Sequence, residues 1–181
     1  MEFYRVEETN RLRRIMRWIV DIVVMISLAW FVVYAFGTQV KIAGQSMAPQ
    51  LCSDNVVLID RLCYDWRQPN RFDVVVFERE DRKSNVKRVI GLPGEEVQII
   101  DGFIYIDGQK LDAENDLSRV VLAGLAENPV TLGEDEYFLL GDNRDGSEDS
   151  RFANIGNVKR SQIQGKIWLR LIPLIDIKLV E

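Results

Sequence analysis

Ser46 is the first residue whose setting could serve chemistry, as the nucleophile of a hydrolase. It lies within residues 42–49, IAGQSMAP. Gly44 lets the backbone adopt dihedral angles that other residues avoid, and Pro49 biases the preceding Ala48 toward an extended conformation. The pattern predicts that Ser46 lies on a short, stiff and exposed segment, a setting shared by nucleophiles and ordinary turn serines.

The sequence contains no histidine, which limits the base that could activate a serine. Ser-His-Asp and Cys-His catalysis and histidine-ligated zinc are therefore excluded. A nucleophilic Ser46 would need a lysine, a carboxylate or a terminal amine as its base. The two cysteines, Cys52 and Cys63, lack metal-binding spacing; a disulfide and a pair of small apolar fillers both stay open.

Lys87 is a candidate for that base, within residues 86–94, VKRVIGLPG. In a strand, successive side chains point to opposite faces, so Lys87 shares a face with Val89 while Arg88 lies on the other. A lysine flanked by apolar residues in this way could be desolvated. The alternative is a lysine on an edge strand, where its charge discourages aggregation.

Residues 141–151, GDNRDGSEDSR, form a long polar stretch directly after an apolar run. Such a stretch is typical of a solvated loop, but a rigid loop of side-chain hydrogen bonds beside a catalytic site has the same composition. The positions of its acidic residues do not match an EF-hand loop, and no metal site is predicted.

Residues 18–36 form an apolar segment that is long enough to cross a membrane. Nineteen helical residues span about 28 Å, close to the thickness of a hydrocarbon core. Arginines are concentrated in residues 1–17, which predicts that this tail is cytoplasmic and that everything after residue 36 is extracytoplasmic. A buried helix of a soluble protein and a cleaved signal peptide are the alternatives, but the length of the apolar run favours a retained anchor.

From residue 38 onward the sequence is typical of strands and turns. Short runs rich in Val, Ile and aromatic residues predict strands at 55–60, 72–78, 86–90, 96–100, 103–106, 136–140 and 166–172. Residues 111–131 are polar and acidic and predict an irregular excursion from the sheet. The predicted fold is thus a mostly β domain over residues 38–181, on a single N-terminal transmembrane helix. With 23 basic and 28 acidic residues and no basic stripe, nucleic acid is not an expected partner.

Three motifs, taken together and in this order, resemble bacterial type I signal peptidases, in the short form of Gram-positive members. They are Gly-x-Ser-Met-x-Pro after the membrane span, KRVIGLPG at 87–94, and GDNRxxSxDSR at 141–151. The resemblance covers about residues 18–174. It implies a serine endopeptidase of the bacterial cell membrane that removes signal peptides from secreted preproteins through an acyl-enzyme, without metal or cofactor.

The resemblance also implies a role for each matching side chain. Ser46 would be the nucleophile and Lys87 the general base, which Ser147 would orient through a hydrogen bond. The remaining residues would shape and brace the site: Met47 and Gly44 on the substrate side, and the ion pairs of Arg88 with Asp142 and of Asp149 with Arg151.

The sequence departs from the resemblance at three places. Gly44 stands where some members carry a hydroxyl residue, so the oxyanion would be held by backbone, chiefly the Ser46 N–H. Glu95 replaces the usual Asp after Leu-Pro-Gly. The segment after Arg151, residues 152–156, has more residues before its glycine than the commoner form of the family has.

Two other classes of protein stay open at this point. A self-cleaving Ser/Lys protease of the SOS-repressor kind would need a DNA-binding helical domain in place of residues 1–37. A catalytically inactive, membrane-anchored assembly or binding factor is opposed by the intact set of Ser46, Lys87 and Ser147.

Overall fold

The computed structural model describes residues 2–36, 38–79, 81–111, 119–173 and 177–180, and the chain divides into two compact units between residues 37 and 38. The first unit is a single helix, α1 (Glu2–Phe36). Within it, Arg11–Tyr34 is long and apolar enough to cross a membrane, and no other helix of the described residues is. The apolar side chains of this stretch are exposed.

The second unit is built from short strands, as its Val- and Ile-rich runs predict. The described strands are, in chain order, β1 (Thr38–Lys41), β2 (Val56–Asp60), β3 (Val74–Glu78), β4 (Ser84–Gly91), β5 (Glu96–Ile100), β6 (Phe103–Ile106), β7 (Gln109–Lys110), β8 (Val130–Thr131), β9 (Glu136–Leu140), β10 (Val158–Lys159), β11 (Ile163–Ile172) and β12 (Lys178–Leu179). A four-residue helix, α2 (Cys63–Trp66), and two short 3₁₀ turns complete the described elements.

These strands form two antiparallel sheets. The larger sheet has the order β1-β2-β11-β3-β4-β9-β10, with β12 also paired to β11, and the smaller has the order β7-β6-β5-β8. The mostly β fold class, with one apolar N-terminal helix, is confirmed. The predicted strands at 96–100 and 103–106 form a hairpin, in which β5 and β6 pair in register from Val97–Ile106 to Ile100–Phe103.

The central strands of the larger sheet are buried on both faces. On β3, Val74 and Val76 pack into one apolar cluster, whereas Val75 and Phe77 pack into another on the opposite face. β9 behaves in the same way, which explains why both strands read as continuous apolar runs rather than alternating ones. Burial on both faces makes this part of the sheet a rigid support for the residues that follow it.

Two interpretations of the sequence are corrected by the sheet. β4 lies between β3 and β9, so Lys87 is not on an edge strand, because both of its neighbours are paired. Residues 111–131 are not simply an excursion. Val120 and Ala126 are buried against the smaller sheet, and β8 joins that sheet beside β5. Residues 112–118 of that stretch lie outside the described residues.

Candidate active site

Ser46 lies in a turn between β1 and β2 that is anchored by its apolar neighbours. Met47 and Leu51 form a bridge and are almost fully buried, at 1% and 0% exposure, in the cluster that also contains Val74. The amide of Ala48 donates to the carbonyl oxygen of Gln45 at 3.1 Å, which places Ser46 at a corner of the turn. Ser46 itself is half-buried. The segment is short and stiff, as predicted, but less exposed.

The loop after β9 is hydrogen-bonded, through Asn143, to the carbonyl groups of Gln45 and Ser46 in this turn. The Asn143 amide donates to the Ser46 carbonyl oxygen at 3.1 Å, and the Asn143 Nδ2 donates to the Gln45 carbonyl oxygen at 3.1 Å. Asn143 Oδ1 in turn accepts from the Gly146 amide at 3.1 Å, which closes the loop on itself.

Arg88 contacts the same turn at Gln50. Its guanidinium donates to Asp142 from Nε at 2.8 Å and from Nη2 at 2.9 Å, to the Phe72 carbonyl oxygen at 2.8 Å, and also to Gln50 Oε1. Arg170 donates to the Gln50 carbonyl oxygen at 2.7 Å. Arg88 therefore joins β4, the strand that carries Lys87, to the Ser46 turn and to the loop after β9. The predicted pair of Arg88 with Asp142 is present.

Lys87 is buried, with 3% of its surface exposed, although its side chain ends in an amine. Burial lowers the pKa of Lys87 to about 8, because a charged amine loses its hydration there; Arg79 adds to this, and the carboxylates of Asp149, Glu148 and Asp142 oppose it. A lysine with such a pKa is substantially neutral just above neutral pH and can accept a proton.

Gly141 is the point at which the segments that carry Ser46, Lys87 and the supporting residue Ser147 meet. β4 pairs with β9 through Arg88–Leu140 and Val89–Leu139, so one step further along both chains brings Lys87 opposite Gly141. A Cβ atom at Gly141 would lie 2.5 Å from the Ser46 carbonyl oxygen and would overlap Ser147 Oγ. Only a glycine allows the two serine segments to approach this strand end so closely.

Asp149 and Arg151 form a fully buried pair inside the loop. Arg151 donates from Nε to Asp149 Oδ1 at 2.8 Å and from Nη2 to Asp149 Oδ2 at 3.0 Å. Arg151 also donates to the carbonyl oxygens of Leu122 at 2.9 Å and Arg144 at 2.6 Å, and Asp149 Oδ2 accepts from the Gly141 amide at 3.1 Å. The polar stretch is thus a rigid, internally bonded loop rather than a solvated one.

The sequence of the chain matches the family described as "Signal peptidase, peptidase S26" over residues 15–172. Signal peptidase I of Bacillus caldolyticus is 36% identical over 167 residues, which are 86% of this chain and 88% of that protein. The chain belongs to the S26 signal peptidase family.

Two further proteins are similar to this chain. Signal peptidase IB of Staphylococcus aureus (strain COL) is 30% identical over 183 residues, 92% of this chain and 94% of that protein. The match with the crystal structure of a signal peptidase I from Enterococcus faecalis has 31% sequence identity and a TM-score of 0.46. It covers 55% of this chain and 97% of the crystallised chain.

Two of the departures from the S26 signal peptidase pattern have a structural explanation. Gly44 has a φ of +92°, and a Cβ there would meet nothing within 4 Å, so its backbone angle is the reason for a glycine. Glu95 uses its longer side chain to pair with Arg71, at 2.6 Å from Nη2, while accepting from the Leu92 amide at 2.7 Å. The carboxylate therefore still braces the loop after β4.

One predicted contact of the S26 site is not formed. Ser147 is buried, but its Oγ has no hydrogen-bond partner among the described residues, so the expected bond to Lys87 is absent; the hydroxyl lies against Gly141 instead. Met47 is packed in the core beneath Ser46, and its role in lining the substrate site stays a prediction. Cys52 and Cys63 are free thiols.

Three residues of the site were not assigned roles from the sequence. Asn143 contacts the turn, and Gln50 within the turn contacts Arg88, across long stretches of chain that no local pattern reveals. Arg144 is buried at 3% exposure, and none of its three guanidinium nitrogens has a hydrogen-bond partner among the described residues. Burial lowers the pKa of Arg144 to about 10, which the carboxylate of Asp142 opposes.

Proposed function

We propose that the chain is a membrane-anchored signal peptidase that cleaves preproteins through a Ser46/Lys87 dyad. The observation that carries this proposal is the buried Lys87, with a pKa lowered to about 8, on the strand facing Gly141, where Ser46 and Ser147 converge. Membership of a peptidase family supports the reaction class, and the absence of histidine leaves lysine as the natural base.

In the proposed reaction, neutral Lys87 accepts the Ser46 hydroxyl proton while Ser46 Oγ attacks the carbonyl carbon before the scissile bond. The negative charge moves to the carbonyl oxygen, which the Ser46 N–H stabilises. The intermediate collapses to an acyl-enzyme as Lys87 returns the proton to the leaving amine. Lys87 then accepts one proton from the water that attacks the ester, and this proton returns to Ser46 Oγ as the ester bond breaks. The product carboxylic acid releases its remaining proton to solvent.

The braces around the dyad fix its geometry in this proposal. Arg88 with Asp142 ties the Lys87 strand to the loop after β9, and Asp149 with Arg151 makes that loop rigid. In this proposal Ser147, which is buried beside Gly141, orients Lys87 when its hydroxyl turns toward the amine. Met47 and Gly44 border the segment that a substrate would follow.

The substrate is a preprotein whose signal peptide ends with small residues at the last and the third-last position. The family resemblance is the basis for this specificity, since shallow pockets reject bulky side chains by overlap. Efficient cleavage of a preprotein with Leu or Phe before the scissile bond would contradict it.

The topology we propose places residues 1–17 in the cytoplasm, residues 18–36 in the bilayer and residues 38–181 outside. Arginines in the tail support this orientation, and α1 supplies the exposed apolar surface. Protease added to spheroplasts should remove the outer domain and spare an N-terminal tag. The reverse pattern of protection would refute it.

The function is tested by incubating a preprotein with the full-length protein in detergent and sequencing the N-terminus of the product. Ser46→Ala and Lys87→Ala should each abolish cleavage. Ser161→Ala and Lys83→Ala, at exposed positions of the same domain, are the matched controls and should keep full activity. Cleavage by Ser46→Ala at the wild-type rate would contradict the proposal.

A further inference from the structure

Asn143 contacts both carbonyl groups that flank the backbone nitrogen of Ser46. Its Nδ2 donates to the Gln45 carbonyl oxygen and its backbone N–H donates to the Ser46 carbonyl oxygen, each at 3.1 Å. One residue thus fixes the peptide group before Ser46 and the one after it. The contact with Gln45 crosses 98 positions of sequence, and both contacts connect the turn to a loop that is itself rigid.

The first of these contacts determines the direction of the Ser46 N–H. Gln45 O and the Ser46 N–H belong to the same peptide group, which is trans, because the cis bonds of the described backbone precede only Pro49 and Pro173. In a planar trans peptide the C=O and N–H bonds point in opposite directions. A donor that holds the Gln45 oxygen on one side therefore aims the Ser46 N–H toward the other side.

The Gln45 oxygen has a second donor, which limits how far the loss of Asn143 Nδ2 would disturb the peptide group. The Ala48 amide also donates to it at 3.1 Å and closes the turn. Loss of Asn143 Nδ2 would leave that bond in place, so the peptide group would gain freedom to tilt rather than lose its fold. Asn143 itself is held by the bond from the Gly146 amide to its Oδ1.

We propose that Asn143 is a positioning residue for the oxyanion-binding backbone of this enzyme, orienting the Ser46 N–H toward the reacting carbonyl oxygen through the Gln45 carbonyl group. This inference rests on the proposed role of Ser46 as nucleophile. It assigns to an asparagine side chain, which acts through the Gln45 carbonyl group, part of the preorganisation that a hydroxyl residue would supply at the Gly44 position in other members.

The test uses the full-length protein in detergent and two substitutions. Asn143→Asp keeps an oxygen for the Gly146 amide and replaces the Nδ2 donor with a second acceptor, whereas Asn143→Ala removes both groups without adding charge. Both should lower kcat about 10-fold and leave KM within about twofold, since deleting an oxyanion donor outright costs about 100-fold or more. The rates are compared on the plateau above the pKa of Lys87, so that a displaced titration does not enter.

A pair of inhibitors separates positioning from folding. A signal-peptide-derived aldehyde ending in alanine is attacked reversibly by Ser46 and gives a tetrahedral oxygen at the oxyanion position, whereas the matching peptide alcohol cannot be attacked. Asn143 variants should bind the aldehyde about 10-fold more weakly and the alcohol as tightly as wild type does. Asn154→Asp, at an exposed asparagine whose Nδ2 donates to Glu148 Oε2 at 3.3 Å, is the control for added charge and should change neither affinity.

Each outcome decides the inference. The inference is overturned if both variants bind aldehyde and alcohol with equal loss of affinity, or if kcat stays within twofold of wild type in both. It is also overturned if Asn143→Asp is fully active while Asn143→Ala is defective, because the Gly146 contact would then be the important one. Should Asn143→Ala fail to fold, Asn143→Asp decides alone. The Ser46→Ala variant is assayed in parallel. Retained cleavage by that variant would instead contradict the proposed function.

Discussion

Arg88 and Asp142 form a two-point ion pair, Nε to Oδ1 at 2.8 Å and Nη2 to Oδ2 at 2.9 Å, across 54 positions of sequence. Both side chains are nearly buried, at 7% and 9% exposure. The pair joins β4 to the loop after β9, and so fixes Lys87 relative to Asn143. Because the same guanidinium also bonds Gln50 in the Ser46 turn, the pair is central to the geometry of the site.

Asp142→Asn should therefore destabilise the domain and impair cleavage. The amide keeps the shape but leaves a buried guanidinium without its counter-charge, which costs about 2 kcal/mol or more. Asp54→Asn is the matched control, because Asp54 pairs with Lys41 at 2.7 Å with both side chains largely exposed. That control should change the free energy of unfolding by less than about 1 kcal/mol. Equal effects in urea unfolding would contradict the central role of the pair.

Gly141→Ala should be among the most damaging single-methyl additions in the chain. The new Cβ would overlap Ser147 Oγ and lie 2.5 Å from the Ser46 carbonyl oxygen, so the strand end and both serine segments would have to separate. We expect loss of cleavage and a destabilisation of at least about 2 kcal/mol. Gly133→Ala meets only the flexible Glu136 side chain at 3.3 Å and should be mild. Active Gly141→Ala would show that the close approach is not needed.

Arg144→Met and Arg151→Met should shift stability in opposite directions. Arg144 is a buried cation whose nitrogens have no hydrogen-bond partner among the described residues, so an apolar side chain of similar length should raise the free energy of unfolding by about 1 kcal/mol or more. Arg151 is fully bonded to Asp149, and its loss should lower stability by about 3 kcal/mol or more. Urea unfolding of both variants checks the contrast, and a destabilised Arg144→Met would contradict it.

The sequence was informative where a pattern is local and less so where contacts are distant. The strands at 96–100, 103–106 and 136–140 match β5, β6 and β9 in their bounds, because their apolar runs are bounded by turn residues. β1 (Thr38–Lys41) was not predicted, since its four residues carry little apolar pattern and are held by pairing with β2. The same holds for β8, whose two residues take their place beside β5.

The site shows the same limit. The pairs of Arg88 with Asp142 and of Asp149 with Arg151 were predicted from motif resemblance and are present. Lys87 was a candidate for desolvation because of its apolar neighbours, with an edge-strand lysine as the alternative, and it is buried. The contacts of Asn143 with Gln45 and of Gln50 with Arg88 depend on how two loops meet in space, which neither composition nor spacing encodes.

Lys87→Met should be inactive yet more stable than wild type at pH 7. Its folded pKa, about 8, lies below the usual 10.5, so below about pH 8 the folded protein must charge a buried amine. That cost, up to about 3 kcal/mol, is fully present below the folded pKa and fades as pH rises toward the unfolded value. Thermal unfolding of both proteins from pH 7 to pH 10.5 should show the difference shrinking. A Lys87→Met protein that is clearly less stable at pH 7 would contradict the burial of an uncompensated amine.

The pH dependence of kcat/KM for preprotein cleavage by the full-length protein tests the Ser46/Lys87 dyad most directly. If Lys87 acts as a neutral base, kcat/KM rises with pH through a single ionisation near the lowered pKa of about 8 and then levels off. Asp54→Asn, which removes a charge from the exposed pair with Lys41, should give the same profile. A profile that is flat from neutral pH to well above the pKa of Lys87, or one that rises only near the pKa of a free lysine, would contradict the account.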